Sequence, residues 1–246
     1  MKYYKILMLK EQDSEYNMGT FYSPPLVHDG LVFCIDNNNK KSYPGSGTSV
    51  TDLGSNSSGV TLSNADICTT TAGVFDFAGN ASNGTGRYID TPNTIGYTTE
   101  ISCFMWAKRT TNTGVVGDYH ILVGDGALEM SWNTSGTFLR NGVHVNGTRY
   151  VQNDGSAIGT NTWHYCGITY TNYTKKSYVD GVLQGTQTCG SSGNLDHSMA
   201  NRVFGRYGTA NYCLVGQLGP IQIYNRVLSV DEVKQNFNAQ RNRFGV

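Results

Sequence analysis

Leu214-Val-Gly-Gln-Leu-Gly-Pro-Ile-Gln-Ile-Tyr-Asn-Arg-Val-Leu-Ser-Val-Asp-Glu-Val-Lys-Gln-Asn-Phe237 contains two elements in succession. In its first half Leu218, Ile221, Ile223 and Tyr224 are β-favouring, with Gln217 and Gln222 between them, which predicts a strand. In its second half Ser229 is a good helix N-cap. Glu232, three residues on, can reach back to the cap's own N–H and complete a capping box. Val230, Val233 and Phe237 follow at offsets of three and four, so a short helix with one apolar stripe is predicted.

Working outward, the strand, the Tyr224-Asn-Arg-Val-Leu-Ser229 link and the helix resemble the closing signature of laminin-G-like, or concanavalin A-like, jelly-roll domains. The tail Asn236-Phe-Asn-Ala-Gln-Arg-Asn-Arg-Phe-Gly245 is similar to versions carried by tailed-bacteriophage structural proteins. At the other end Asp29-Gly-Leu-Val32, Lys41-Ser-Tyr-Pro-Gly-Ser-Gly-Thr48 and Thr51-Asp-Leu53 resemble the first strand and loop of the same phage proteins. Many relatives have an acidic pair just before the last strand. Here that place holds Gly219-Pro220, so any role of the pair does not carry over.

The resemblance implies an all-β chain: a two-sheet antiparallel jelly-roll sandwich over residues 27–246 with one short C-terminal helix, preceded by an N-terminal arm over 1–26. It also implies a non-enzymatic virion surface protein, a homo-oligomer that decorates capsid or tail and adheres to host glycans. A stand-alone carbohydrate-binding module or lectin is the alternative reading, and a polysaccharide hydrolase the distant one.

Composition sets the outer bounds. A chain of 246 residues fits one large β-sandwich. Thirty glycines and 11% aromatic residues suit many turns between well-packed strands, and 15% charged residues with no net charge argue against disorder. With no basic excess to neutralise phosphates, nucleic acid is not an expected partner. The opening apolar run, Ile6 to Leu9, is shorter than the about 7–15 residues of a signal peptide. It is also far below the about 20 residues of a spanning helix. Synthesis in the host cytoplasm without export, and no membrane insertion, are the expectations.

The middle of the chain supplies the strands. Leu31-Val-Phe-Cys-Ile35 is continuously apolar, and Val74–Phe77 and Tyr88–Asp90 are strand-like. In Ile101–Lys108, Ile101, Cys103, Met105 and Ala107 share one face, and Ser102, Phe104, Trp106 and Lys108 the other. Large side chains on both faces predict a strand covered by the core on one side and by a loop or partner on the other. Asp125-Gly126, Asn141-Gly142, Asn146-Gly147 and Asp180-Gly181 are hairpin signals. Trp163–Tyr170 followed by Lys176–Val182 resembles the family's central hairpin, a Trp-His strand paired across a Tyr-Val-Asp-Gly turn. No period of 20–50 residues repeats, which excludes a propeller or solenoid.

Six cysteines are present. Cys34, Cys103 and Cys166 sit inside strand patterns, where a buried thiol acts as a small hydrophobe. Cys68, Cys189 and Cys213 lie in or near loops, where a bridge stays open. A glycosidase of this shape needs two carboxylates about 5–9.5 Å apart. Of five glutamates, Glu129 has a carboxylate four residues before it, Asp125, but that residue sits in a turn. Glu11, Asp13 and Glu15 have suitable spacing but lie in the arm. The five histidines are scattered, with His164 part of a strand face, and neither a serine elbow nor a phosphate loop is found. No catalytic residue is expected.

Two binding readings remain. Calcium is the one cofactor weighed, with oxygen ligands from Asp118, Asp125, Asn153 and Asp154. The competing explanation is that Asp and Asn populate turns for backbone reasons. Carbohydrate would stack on Tyr119, Trp132, Tyr150, Tyr207 and Tyr212, which fall near expected turns or strand ends among 16 tyrosines. Sandwich core and protein contacts favour the same residue types. Residues 1–19 follow no sustained period. Tyr3, Tyr4, Ile6, Leu7 and Leu9 would dock such an arm onto other virion proteins, and a frayed terminus is the plainer reading.

Overall fold

The computed structural model describes residues 24–55, 59–69, 73–77, 87–92, 99–110, 120–124, 127–132, 138–154, 158–190, 193, 195–196, 201–205 and 213–246. The described strands form two sheets. The first runs, in spatial order, β14 (Val182–Thr188), β13 (Thr174–Val179), β12 (Trp163–Thr171), β7 (Glu100–Arg109), β16 (Gly216–Tyr224), β5 (Val74–Asp76) and β4 (Cys68–Thr69). β1 (Leu31–Ile35) also pairs with β16. The second runs β11 (Thr148–Asp154), β10 (Leu139–Val145), β9 (Leu128–Trp132), β8 (His120–Gly124), β15 (Asn201–Phe204), β6 (Ile89–Pro92), β3 (Gly59–Leu62) and β2 (Ser49–Thr51). Every pairing described is antiparallel. The result is the expected jelly-roll sandwich.

β7 shows how the layers are built. Ile101, Cys103, Met105 and Ala107 enter the core between the sheets, together with Phe33 and Ile35 of β1, Leu128, Met130 and Trp132 of β9, and Ile221 and Ile223 of β16. Phe104 and Trp106 point the other way, into a second apolar cluster with Tyr165, Tyr178, Tyr224, Leu228, Val233 and Phe244. What covers that outer face is neither a loop nor a partner but the helix α1 (Val230–Phe244). This helix is longer than the 230–237 expected. The stretch after Phe237 is polar and carries no apolar period, but Gln240 accepts from Trp106 Nε1 and Phe244 packs on Trp106. The capping box of Ser229 and Glu232 is formed, and Gly245 closes the helix in the left-handed region. Val230, assigned to the apolar stripe, is instead 48% exposed. The buried stripe is Val233, Asn236 and Phe244.

Gly219-Pro220 has a packing reason. The ladder between β16 and β7 breaks register between Leu218 and Ile221, a place where a residue without an N–H is tolerated. A Cβ on Gly219 would stand 2.6 Å from Phe244 Cζ and 2.9 Å from Trp106 Cβ. The missing side chain leaves room for the helix's last aromatic.

The turn signals divide. Asn146-Gly147 (φ 49° and 76°) and Asp180-Gly181 (φ 53° and 78°) make tight hairpins with both central residues left-handed, the type I′ geometry. Asn141-Gly142 does not turn: it lies inside β10, hydrogen-bonded on both sides. Asn141 is fully buried, and Gly142 is small because a Cβ there would approach Val151 Cγ2 to 2.9 Å. Asp125-Gly126 lies outside the described residues. All six cysteines are free thiols, with Cys34, Cys103 and Cys166 buried within β1, β7 and β12.

The start of the described chain is fastened to the helix. Val27 N–H donates to Asn236 Oδ1 (2.8 Å), Asn236 Nδ2 donates to Tyr224 Oη (2.9 Å), and Tyr224 O–H donates to the Val27 carbonyl (3.1 Å). Gln235 Nε2 adds a bond to the Pro25 carbonyl.

Candidate functional site

The sandwich has two outer faces, and they are dressed differently. The first sheet's outer face carries α1 and its aromatic cluster. The second sheet's outer face is polar. Leu128, Met130 and Trp132 of β9 face the core, so Glu129 and Ser131 face out. The same alternation puts Arg140, Gly142 and His144 of β10, and Arg149 and Asn153 of β11, on that face.

Its centre is a carboxylate gripped by two guanidinium groups. Arg140 Nη1 donates to Glu129 Oε1 at 2.7 Å. Arg149 donates through Nε to Oε2 (2.9 Å) and through Nη2 to both oxygens (2.7 and 2.6 Å). Side-chain exposure rises from 4% at Glu129 to 16% at Arg140 and 43% at Arg149. Gly142 is the cross-strand partner of Glu129, and a Cβ there would stand 2.9 Å from Val151 Cγ2 and 3.7 Å from Glu129 Cβ. Such charge-assisted, two-pronged bonds are strong and directional, and they occupy both carboxylate oxygens of Glu129. Farther along the same sheet, Ser49, Thr61, Asp90 and Thr91, with Val50, Gly59 and Val60, line a groove of about 390 Å³.

The predicted carbohydrate platforms fare unevenly. Trp132 is a correction. It lies on the core side of β9, is 0% exposed, and has the Arg109 guanidinium 5.8 Å from its ring centre, so it offers no face to a sugar. The period of two along β9 decides this, since Leu128 and Met130 fix which face is buried. Burial also holds the Arg109 guanidinium below its ordinary value. Tyr150 is half-buried on the core side of β11 and packs against the central cluster. Its hydroxyl occupies the space a Cβ on Gly190 would need, 2.7 Å away. Tyr119, Tyr207 and Tyr212 lie outside the described residues, as do the arm residues Tyr3, Tyr4, Ile6, Leu7 and Leu9.

Of the calcium set, Asp118 and Asp125 lie outside the described residues. Asn153 is exposed opposite Arg140, and Asp154 ends β11 opposite Leu139. Among the described residues no three His, Cys, Asp or Glu side chains converge on a metal position. His164 donates or accepts through Nδ1 with Asp180 Oδ2 at 2.8 Å, while Asp180 Oδ1 accepts the Tyr165 N–H. That pair ties β12 to the β13–β14 turn. Arg140 and Arg149 went unnoticed in the sequence. The signal that exposes them is the Asn146-Gly147 turn, which sets His144 opposite Arg149 and puts both on the face of Glu129.

This geometry defines a two-sheet sandwich in which the first sheet's outer face is covered by α1 and the second sheet's outer face is polar among the described residues. The chain belongs to the concanavalin A-like lectin/glucanases superfamily, whose laminin G model matches residues 83–234. No curated protein matches it. Among solved structures, it is similar to the binding domain of Paraclostridial mosquitocidal protein 1, with 18% identity, TM-score 0.63 and coverage of 87% of this chain and 53% of that one. It is also similar to the receptor-binding domain of botulinum neurotoxin mosaic serotype C/D, solved with tetraethylene glycol on its Hcn sub-domain (16% identity, TM-score 0.62, coverage 87% and 52%). A third likeness is to the botulinum neurotoxin serotype D ligand-binding domain in complex with N-acetylneuraminic acid (15% identity, TM-score 0.60, coverage 87% and 52%). The chain spans about half the length of these structures. At such identities the likeness is one of fold.

Proposed function

We propose that the protein is a non-catalytic attachment module: a lectin-like sandwich on the surface of a tailed-bacteriophage particle, decorating capsid or tail and engaging host glycans through the open face of its second sheet. The observation that carries this reading is the unequal dressing of the two faces. One is covered by α1, whereas the other carries the Glu129–Arg140–Arg149 charges, with Arg149 exposed, and the same sheet holds the groove lined by Ser49, Thr61 and Asp90. Such a surface can hold a sugar by directional polar contacts. That the toxin domains above are receptor- and sialic-acid-binding domains supports the glycan partner. The grip of two arginines on Glu129 supports a non-catalytic role.

The phage setting is supported by the resemblance of residues 29–53 and 214–245 to phage structural proteins. The attachment of residues 25–27 to α1 supports an arm that leaves from the sealed face, so docking through it would turn the open face outward. Three measurements test the proposal. Binding of the full chain to a glycan array, together with binding to purified capsid or tail protein that is lost on deleting residues 1–23, is expected. Silence on the array removes the lectin reading. Equal binding to virion proteins without residues 1–23 removes the docking arm, and reducing-sugar release from a bound polysaccharide removes the non-catalytic reading.

A further inference from the structure

The geometry points to an acidic saccharide, one carrying a sugar carboxylate, as the ligand of the open face, with Arg149 as the residue that reads the acid. This rests on the glycan-binding reading and makes it specific.

Three observations converge. First, Glu129, Arg140 and Arg149 sum to one net positive charge. Second, Arg149 is not free to wander. Its Nε and Nη2 are both committed to Glu129, while Nη1 makes no hydrogen bond among the described residues, and the side chain is 43% exposed. A guanidinium pinned along one edge has already lost the rotamer freedom that a loose arginine would give up on binding. Its remaining amino group is a fixed, charged donor suited to a carboxylate oxygen.

Third, the same face carries an exposed neutral donor: Asn153, the cross-strand partner of Arg140, adds an amide at the rim. A fixed cation with an amide on the same face suits a sugar carboxylate with hydroxyls beside it.

The test is calorimetric titration of the full chain with 3′-sialyllactose, with a glucuronic acid oligosaccharide and with neutral lactose. Either acid is expected to bind at least about tenfold tighter than lactose, a difference of about 1.4 kcal/mol. The sialic and uronic arms decide which acid is preferred. The advantage should shrink between 50 and 500 mM salt, as an exposed charge contact must. Arg149→Gln should bring acid and neutral sugars to equal affinity, with near-UV circular dichroism confirming the fold. Should that variant not fold, Asn153→Asp supplies the check. It sets a negative charge at the rim without touching Glu129, and should weaken acid binding more than lactose binding. Equal affinity for acid and neutral sugars, or an acid preference that survives Arg149→Gln or Asn153→Asp, overturns the inference and leaves glycan binding standing. Failure of every glycan, neutral ones included, overturns the glycan reading itself.

Discussion

The ring of Phe244 lies on that of Trp106, with centroids 4.3 Å apart and planes within 17° of parallel. One residue belongs to the last turn of the C-terminal helix, and the other to β7, which lies between β12 and β16 in the first sheet. Trp163 of β12 also touches Phe244, with ring centroids 4.7 Å apart. The end of the chain is thus built into the sandwich, and the sealed face depends on it.

Phe244→Ala should lower unfolding free energy by about 3 kcal/mol, the low end for removing a core aromatic, because this ring is 9% exposed. Gly219→Ala should cost about 1–3 kcal/mol by overpacking, since its Cβ would meet the same ring. The two changes share one contact, so they should not add. The glycine substitution should cost clearly less when Phe244 is already alanine. Urea denaturation of the two single variants and the double variant measures this. Strict additivity would mean that Gly219 is small for another reason.

Asn236 is fully buried on the inner side of α1 and closes the ring of bonds through Val27 and Tyr224. Asn236→Leu fills a similar volume but removes both partners' bonds. It leaves the Val27 N–H without an acceptor, which should cost about 1–3 kcal/mol. Hydrogen exchange gives a sharper readout. The Val27 amide should exchange much faster in the variant while amides in β9 and β10 keep their protection. Unchanged protection at Val27 would show that the segment is held by something other than this ring.

How much of this was legible from sequence follows from the kind of signal each part leaves. The last strand, the helix cap, β1 and the Trp163–Val182 hairpin declare themselves locally, through period two, a capping box and Asp-Gly chemistry. The full length of α1 does not, because Gln240 and Phe244 are fixed by Trp106, far away in the chain. Asn141-Gly142 looks identical to a turn until β9 and β11 are both seen to pair with it. Trp132 was misplaced for the same reason: which face of β9 is buried depends on the sheet opposite. The Glu129 clasp is a cross-strand object spanning three strands, and no single window of sequence contains it.

Glu232 gives a pH signature. The Arg226 side chain bonds to both its oxygens, and the Ser229 N–H and the cap add to the pull, so its carboxyl is held down at about 2 against an ordinary 4.5. The folded pKa is depressed. The stabilisation is therefore complete above pH 4.5 and is lost as pH falls from there towards about 2. Melting temperatures of wild type and Glu232→Gln should differ most at neutral pH and converge below about pH 2.5. A gap that stays constant down to pH 2 would mean that the pairing contributes through packing rather than charge.

The thiols offer a last test, of burial itself. Cys34 is pushed up to about 12, chiefly by burial, with the Asp36 and Asp52 carboxylates adding to it, and Cys166 is pushed well up by burial. Cys68 also rises to about 12 through burial, although it is only half-buried. Only the thiolate attacks a disulfide reagent, so at pH 8 the native protein should react slowly with Ellman's reagent, Cys68 leading because it is the most accessible. Six equivalents should be released at once in urea, matching six free thiols. A raised folded pKa also makes stability complete below the ordinary 9.0 and progressively lost as pH climbs towards about 12, so alkaline unfolding should coincide with thiol exposure. Mass spectrometry that found Cys34 or Cys166 labelled first in the native protein would contradict the packing of β1 and β12 described above. Release of only four equivalents on unfolding would instead reveal a disulfide.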